Sequence, residues 1–563
     1  MKKNFRATVL GLSICLAFTQ WGFAENPIIQ TNYTADPAPM VHNDTVFLYT
    51  SHDEDDAQGF KMNNWMLYTS TDLVNWTDHG IIASLNSFSW QAGSAWAPQC
   101  IERNNKFYLY CPLNNKLNGR ISIGVLVSDS PYGPFTDPLG KPLITNTQGA
   151  NDYDPSVIID DDGQAYISWG GNGPCMWAKL NEDMISVSGS VQKTNIDFTG
   201  TPSEASYTEG PWYYKKGTNY YLAWASRCCP EGIGYAMGPS FAGPWKCKGL
   251  IMAPNPRSSG NHPGLMDFKG KSYVFGFDYE LLFTRIPYST SKPERRSICL
   301  KEMTFNADGS IKEVPWWGAG APLPGVPQVD TLSPYDKTEA ETICWEFGVR
   351  TEPCKDNGGG MDVDSIHNGD FIKVKGVDFG TNGAASFEAR VASATSGGNI
   401  EIHIDTTTGP LLGTCAVTGT GGWQTWTTKS CTVSGVTGVR NLFFKFTGGN
   451  GLLFNFNWWK FTPSTSILSN KASFKQSTSS FMTRFNPLSG NTIISYNLQN
   501  TGHVIINIFD QQGKRVASIA NGMVTSGLHE AVWNTKQIPS GLYFCKVALD
   551  GRDLAAGKVV VGK

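Results

Sequence analysis

The sequence predicts an all-β chain: a five-bladed β-propeller, then a β-sandwich of jelly-roll type, then a small immunoglobulin-like C-terminal domain. Three observations predict it. The composition is that of strands and turns, with 60 Gly, 31 Pro and 12% aromatic residues against only 17% charged. Strands consume Tyr, Phe, Trp and Thr, and their turns consume Gly, Pro, Asn and Asp. A proline-containing phrase recurs five times in the first half of the chain, and alternating strand patterns between Gly-rich turns fill the second half. The length of 563 residues, at roughly 150 residues per domain, accommodates these modules. A formal net charge of −3 leaves no positive field for polyphosphate and argues against nucleic acid as a partner. The aromatic surplus suits flat apolar faces such as sugar rings present.

Residues 1–24 read as an export signal. Lys2, Lys3 and Arg6 form a basic start, an apolar stretch runs from Ala7 to about Phe18, and Gly22 and Ala24 supply the small residues of a cleavage site. The mature chain is therefore expected to begin at Glu25. No later apolar run reaches the roughly 20 residues that span a bilayer, so a secreted or surface-attached product without a membrane span is expected. Cys15 falls in the signal. In an exported chain the remaining cysteines are expected to form disulfides; Cys344 with Cys354 and Cys415 with Cys431 are candidate local pairs, and none has zinc-ligand spacing. Cys228 and Cys229 are adjacent, so they cannot both face one side of a strand.

Residues 25–315 carry the repeat, at intervals of roughly 50 to 60 residues. Each copy is a proline step, an apolar run, a polar turn and an aromatic-rich strand. Asp36-Pro37 leads to VFLYTS at 46–51, Ala97-Pro98 to FYLYC at 107–111, and Asp154-Pro155 to AYISWG at 165–170. Gly210-Pro211 leads to YYLAWAS at 220–226, and His262-Pro263 to YVFGF at 273–277. Short strands repeated at this period form propeller blades. The competing reading is an irregular β-sandwich, which also spaces short strands regularly.

The Gly/Pro-rich segment WWGAGAPLPGVPQVD places a linker at 316–337. Residues 338–462 alternate strands with Gly-rich turns and end in FNFNWWKF at 454–461. Residues 463–480 are a Ser/Thr-rich connector. Residues 481–563 alternate again, as in HVIINIFD at 503–510, and lack any cluster of convergent carboxylates, histidines or serines.

In a propeller the innermost strands start at the axis, so equivalent positions of the repeats converge. Those positions hold Asp36, Ala97 beside Trp96, Asp154, Glu209 one residue before Gly210, and His262. Each acid alone reads as a turn residue; their coincidence in repeat register reads as a site. Glycosidic hydrolysis needs one protonated carboxyl for the leaving oxygen and one carboxylate that activates water or attacks the anomeric carbon. A third carboxylate keeps the acid protonated by like-charge repulsion. Acids from different blades lie across a wide funnel, which favours the separation of roughly 6.5–9.5 Å and the inverting outcome.

The phrases ADPAP at 35–39, SAWAPQ at 94–99, DYDPSVIIDDDGQAYISWGG at 152–171, YTEGPWYYKKGTNYYLAWAS at 207–226 and NHPGL at 261–265 resemble the glycoside hydrolase family 43 pattern over about residues 27–315. The resemblance implies a five-bladed propeller and an inverting hydrolase of plant cell-wall pentosans. It implies Asp36 as general base, Asp154 as the residue that positions the acid and raises its pKa, and Glu209 as general acid. It further implies His262 at the funnel axis beside an ion or water, Trp96 facing sugar, and Arg295 or Arg296 of RRSICLKEM facing the site. The segment at 49–80 resembles α-L-arabinofuranosidases more than xylan-backbone exo-enzymes; its acids Asp53–Asp56 line the funnel rim or form a solvated charge run.

Residues 338–462 resemble a family 6 carbohydrate-binding module through EAE at 339–341, DNGGGMDVDSIHNGDFIKV at 356–374, GGWQTW at 421–426 and FNFNWWKF. The implied binding residues are Trp423, stacking on a sugar, and Asn455, hydrogen-bonding hydroxyls; Glu339 and Glu341 are the implied metal ligands. Ser365 stands where many members carry a ring-stacking aromatic, and Asn457 where an acid is usual, which weakens a calcium site because an amide attracts a hard cation less than a carboxylate does. Residues 484–563, with NPLSGNTIISYNL, VIINIFDQQGKRV, GLHEAVWN and PSGLYFCKV, resemble the C-terminal sorting domain of type IX secretion.

Together these readings lead to a secreted inverting glycoside hydrolase that releases α-L-arabinofuranosyl residues from arabinoxylan or arabinan, with arabinoxylan, arabinan and xylan as its polymeric partners. No cofactor is required for the chemistry, and a structural calcium is expected in the propeller centre or the binding module. The alternatives are a β-xylosidase or bifunctional xylosidase/arabinofuranosidase, and a non-catalytic polysaccharide-binding protein. The acid trio argues against the last, because binding alone needs aromatics and amides rather than three converging carboxylates.

Overall fold

Polar turns fold each apolar run back onto its neighbour, and along residues 33–303 this gives five successive antiparallel sheets. The computed structural model describes residues 23–464, 481–486, 491–498, 500–510, 514–536, 538–550 and 552–561. The first blade joins Tyr33–His42, Thr45–Asp53, Asn64–Ser70 and Trp76–Ser84; the second joins Gln99–Arg103, Lys106–Asn114 and Ile121–Ser128. The third joins Ser156–Ile159, Ala165–Trp169, Met176–Leu180 and Val187–Lys193. The fourth runs from Tyr207–Lys216 through Asn219–Ser226 and Gly232–Gly238 to Trp245–Met252, with the short Ile196–Asp197 outside it. Gly264–Phe268, Lys271–Asp278 and Ser297–Met303 form the fifth. The repeated proline lies within the innermost strand of the first and fourth blades and directly before it in the other three, and Pro37, Pro98, Pro155, Pro211 and Pro263 line one small space on the axis. Large side chains such as Trp65, Trp169 and Trp224 are wholly buried; burying such groups contributes roughly 25 cal/mol per Å² of apolar surface.

The chain's start packs on the last blade. The Ile28 N–H donates to Ile298 O at 2.8 Å, and the Asn26 amide spans Leu300 O at 3.1 Å and Leu300 N at 2.9 Å. Phe23–Asn26 pairs antiparallel with Leu323–Pro327, so the segment expected to be a linker carries a strand. The cleavage point expected between Ala24 and Glu25 lies inside the partner strand, where Ala24 is buried; residues 1–22 fall outside the described residues.

Two sheets form the sandwich. One orders Arg350–Pro353, Met361–Asp364, Asn455–Pro463, Ala384–Ser393 and Gly422–Thr432; the other orders Trp345–Phe347, Phe371–Asp378, Val439–Gly448, Gly397–Ile404 and Leu411–Thr418. Phe387, Phe444, Phe456, Trp459 and Phe461 fill the space between them. The sandwich is joined to the first blade by main-chain and side-chain bonds. Thr342–Ile343 adds a strand to Trp76–Ser84, Asn75 exchanges hydrogen bonds with the Lys375 backbone at 2.9 and 2.8 Å, and Glu25 receives Lys373 at 2.6 Å and Lys375 at 2.9 Å.

The C-terminal unit is a separate two-sheet sandwich. Phe481–Asn486, Asn491–Leu498 and Gly527–Asn534 form one sheet; Arg515–Val524, Gly502–Phe509, Gly541–Leu549 and Arg552–Val561 form the other. Ile494, Val504, Ile506, Trp533 and Val547 make its core. Residues 465–480 of the expected connector lie outside the described residues.

The expected local disulfides are not formed. Cys344, Cys354, Cys415 and Cys431 are thiols, with Cys415 and Cys431 close to one another. Among the described residues the disulfide present is Cys228–Cys229.

Candidate active site

A one-residue bulge aims the first-blade acid. Between the pairs Ala35↔Ser51 and Ala38↔Tyr49 the inner strand carries an extra residue, which re-aims side chains and bends the strand. Asp36 sits in this bulge at φ 53°, and Asp154 takes the same backbone shape at φ 55°. Aspartate is among the few residues that visit this left-handed region readily. The fourth blade repeats the bulge between Glu209↔Ala225 and Trp212↔Ala223, but there Gly210 occupies the slot at φ 60°, and the acid is the residue before it.

The three acids surround His262. Its Nδ1 lies 3.3 Å from Asp36 Oδ1, and its Nε2 lies 3.1 Å from Glu209 Oε1 and 3.9 Å from Asp154 Oδ2. Burial alone would lower the imidazole's pKa, yet Asp154, Asp36 and Glu209 together lift it to about 10, so it stands as an imidazolium among carboxylates. Asp36 also accepts Arg296 Nη1 at 2.9 Å and Ser51 Oγ at 2.5 Å. Burial opposes its ionisation, but the Arg296 and His262 charges hold its pKa below the ordinary carboxylate value. Arg296 is itself fixed by a bidentate bond to Asp53, both contacts at 2.9 Å, and its guanidinium stacks on Phe277 at 5.0 Å and Phe60 at 5.3 Å.

The proton distribution differs from the expectation. Burial, reinforced by repulsion from Glu209 and Asp36, pushes Asp154 well above the ordinary range despite the His262 charge. Glu209 is pulled below it, because the His262 hydrogen bond and charge outweigh burial. Glu209 also accepts the Tyr153 hydroxyl at 2.9 Å, and Asp154 accepts the Gly210 N–H at 3.0 Å.

These groups open into a cavity of about 480 Å³ lined by Asp36, Trp96, Asp154, Glu209, His262 and Arg296, among others. Trp96 is half-buried, and its carbonyl is held by Trp65 Nε1 at 2.7 Å. Arg295 does not reach the cavity; its guanidinium is bound to the Ala57 carbonyl at 3.2 and 3.1 Å. The acids at 53–56 do not form a free rim. Asp53 is buried under Arg296, Asp55 faces Arg350 at 3.3 Å and Asp56 faces Lys61 at 2.6 Å. Sequence reasoning missed Tyr153, Phe60, Glu231 and the Cys228–Cys229 pair, all of which line the cavity. Tyr153 was within reach, since it adjoins Asp154; the others stand outside the repeat register.

In the second module Trp423 is half-buried on Gly422–Thr432. Asn455 is buried, and its amide is committed to Glu352 Oε1 at 2.7 Å; Gln424 donates to the same oxygen at 2.8 Å. Ser365 takes φ 56° and its hydroxyl bonds Asp364 at 3.1 Å.

Two places bear on a metal. Donor atoms of Asp154, Glu209 and His262 lie within 4.8 Å of one another, but the imidazolium already neutralises this set, and a nitrogen ligand suits calcium poorly; the centre does not fit that ion. The second module fits better. Glu341 is buried with Oε2 unpartnered, and Asp362 nearby leaves Oδ1 unpartnered. Burial, then repulsion from Glu339, Asp78 and Asp362, raises the Glu341 pKa well above the ordinary value. Glu339 pairs with Lys337 at 2.8 Å, and Asn457 donates to Asp356 at 3.0 Å.

The profile of glycosyl hydrolases family 43 matches residues 24–311, the span that holds every one of these cavity groups. The chain belongs to glycosyl hydrolase family 43. As a family 43 member it is a glycoside hydrolase. Residues 339–463 match the carbohydrate binding module of family 6, and residues 486–562 match a secretion system C-terminal sorting domain, which marks the chain for secretion or attachment at the cell surface. Among the described residues no helix is long and apolar enough to cross a membrane. An arabinoxylan arabinofuranohydrolase of Bacillus subtilis (strain 168) is 37% identical over 78% of this chain and 92% of that protein. A protein of the same name from Paenibacillus polymyxa is 34% identical over 78% of this chain and 74% of its own length. The crystal structure of the family 43 arabinoxylan arabinofuranohydrolase from Bacillus subtilis in complex with cellotetraose aligns with TM-score 0.69 at 34% identity, over 78% of this chain and 97% of that one.

Proposed function

We propose that this family 43 enzyme releases α-L-arabinofuranosyl residues from arabinoxylan by inversion, with Asp36 as general base, Glu209 as general acid and Asp154 as the acid's positioning residue. The observation that carries the reading is the pair of carboxyls held on opposite nitrogens of His262 at 3.3 and 3.1 Å. Asp36, kept ionised by Arg296, takes a proton from water as that water's oxygen bonds the anomeric carbon. Glu209 gives its proton to the departing glycosidic oxygen, and the two exchange protons with solvent afterwards. A sugar that displaces water from the cavity strengthens the burial that opposes Glu209 ionisation, so Glu209 takes up its proton when substrate binds. The imidazole holds the two carboxyls apart, which supports the wider spacing that inversion needs over a side-by-side pair.

The two relatives named above support arabinoxylan as substrate, and the family 6 module supports retention on polysaccharide, with Trp423 as the stacking residue. Glu341 and Asp362 are the residues that would hold a structural calcium there; chelation lowering the melting temperature tests this. The function is tested by incubating the enzyme with wheat arabinoxylan, linear arabinan and xylo-oligosaccharides and identifying the sugar released. Arabinose from arabinoxylan is expected, with the inverted anomer formed first by proton NMR. Release of xylose alone would assign a β-xylosidase, and no release would leave a binding protein.

A further inference from the structure

The loop after Asn219–Ser226 forms part of the cavity wall yet has no part in the chemistry above. Cys228 and Cys229, joined to each other, both line the cavity and are exposed at its mouth. The Cys228 N–H is anchored to Thr208 Oγ1 at 3.2 Å. Two residues on, Glu231 lines the same cavity but is only 3% exposed. The hydrogen bond that holds its carboxyl comes from the Asn261 N–H to Oε2 at 3.2 Å, and no ion pair involving it is formed among the described residues. A buried carboxyl facing a cavity on one main-chain bond is costly to keep for packing alone, since an apolar side chain would fill the place without desolvation. Burial, then repulsion from Glu209, pushes its pKa up to about 8, so at neutral pH it can donate as well as accept a hydrogen bond.

We propose that Glu231 is a specificity-determining residue that hydrogen-bonds a hydroxyl of the terminal pentose, held in place by the Cys228–Cys229 disulfide, whose sulfurs give the cavity mouth an apolar face for the sugar's C–H surface. The proposal rests on the reading that this cavity accepts a pentoside. Its assignment to the terminal sugar follows from depth: Glu231 is buried and close enough to Glu209, His262 and Asp36 to feel their charges, whereas a sugar of the polymer backbone meets the exposed mouth.

The test uses the full chain with 4-nitrophenyl α-L-arabinofuranoside, which carries the terminal sugar and no polymer. Glu231→Ala is expected to raise KM about tenfold, the worth of one hydrogen bond in a closed site, while kcat changes less than about threefold. Glu231→Gln, neutral and still able to donate and accept, should bring KM back to within about threefold of wild type. Dithiothreitol adds two electrons and two protons to the disulfide and leaves two thiols; a rise in KM of about threefold or more is expected. The other described cysteines are already thiols, so the effect reports on this bond. A wild-type enzyme that turns over while Glu231→Ala keeps its KM overturns the proposal, including the case in which only the melting temperature falls. A KM unmoved by reduction removes the disulfide's share. A wild-type enzyme inactive on every pentoside overturns the function itself.

Discussion

Arg296 sets the charge state of Asp36, the proposed base. It joins Asp36 to the buried Asp53 and is itself only 4% exposed, so the three charges stand or fall together. Arg296→Met leaves the buried Asp53 without a cation and Asp36 with His262 alone, and is expected to cost about 3–5 kcal/mol of stability, read by chemical denaturation. The gentler Asp53→Asn keeps the cation and loosens its placement. Removing the Arg296 charge raises the Asp36 pKa, so, because the proposed base acts ionised, the acid limb of the kcat/KM profile should move to higher pH in Arg296→Met, while Asp53→Asn leaves that charge in place and should not move the limb upward. An unshifted limb would remove Asp36 as base. The acids and the histidine were legible because they share a repeat position. Arg295 and Arg296 were not separable, because neighbouring residues of extended chain face opposite ways and nothing in RRSICLKEM fixes which one faces inward. Glu231 was illegible for a different reason: no repeat equivalent marks it, and only the folded wall shows that it faces the cavity.

At the scale of the strand, the bulge at the blade opening is the device that turns acids toward the axis. Gly210 fills the slot that Asp36 fills in the first blade, and a Cβ there would lie 3.1 Å from the His262 ring at φ +60°. Gly210→Ala should therefore combine backbone strain of about 1 kcal/mol with displacement of His262. A fall in kcat of about tenfold at nearly unchanged KM is expected from steady-state kinetics; unchanged kcat would show that the ring adapts. On the second module, Trp423→Ala should weaken retention on insoluble xylan and leave turnover of a small aryl arabinofuranoside intact, while equal retention would make Trp423 a packing residue. The blades could be read from period alone, since each repeats the same local turn chemistry. The strand Leu323–Pro327 could not, because its partner, Phe23–Asn26, lies at the other end of the propeller sequence and a Gly/Pro-rich segment carries no local strand signal.

Across the molecule, low overall charge coexists with several carboxyls buried without a cation of their own. Glu231 is pushed up to about 8. Asp278, through burial and then repulsion from Glu280, and Glu346, chiefly through burial, are each pushed up to about 7. In the unfolded chain these groups release their protons near their ordinary values, 4.5 for the glutamates and 3.8 for Asp278. Between those values and 7 to 8 the folded state therefore binds more protons than the unfolded state, and stability must fall as pH rises, by about 1.4 kcal/mol per pH unit for each such group. Asp36 works the other way: its depressed pKa contributes stability that is lost only as pH falls below the ordinary carboxylate value. The melting temperature is thus expected to be highest near pH 5 and to decline steadily to pH 8. Glu346→Gln, which can still accept the Val349 N–H that Glu346 holds at 3.1 Å, removes one titrating group without emptying its place. Its decline should be shallower than that of wild type over the same range. A wild-type melting temperature flat from pH 5 to pH 8, followed by differential scanning calorimetry at fixed ionic strength, would mean that these carboxyls are ionised in the folded protein and that water or a cation reaches them.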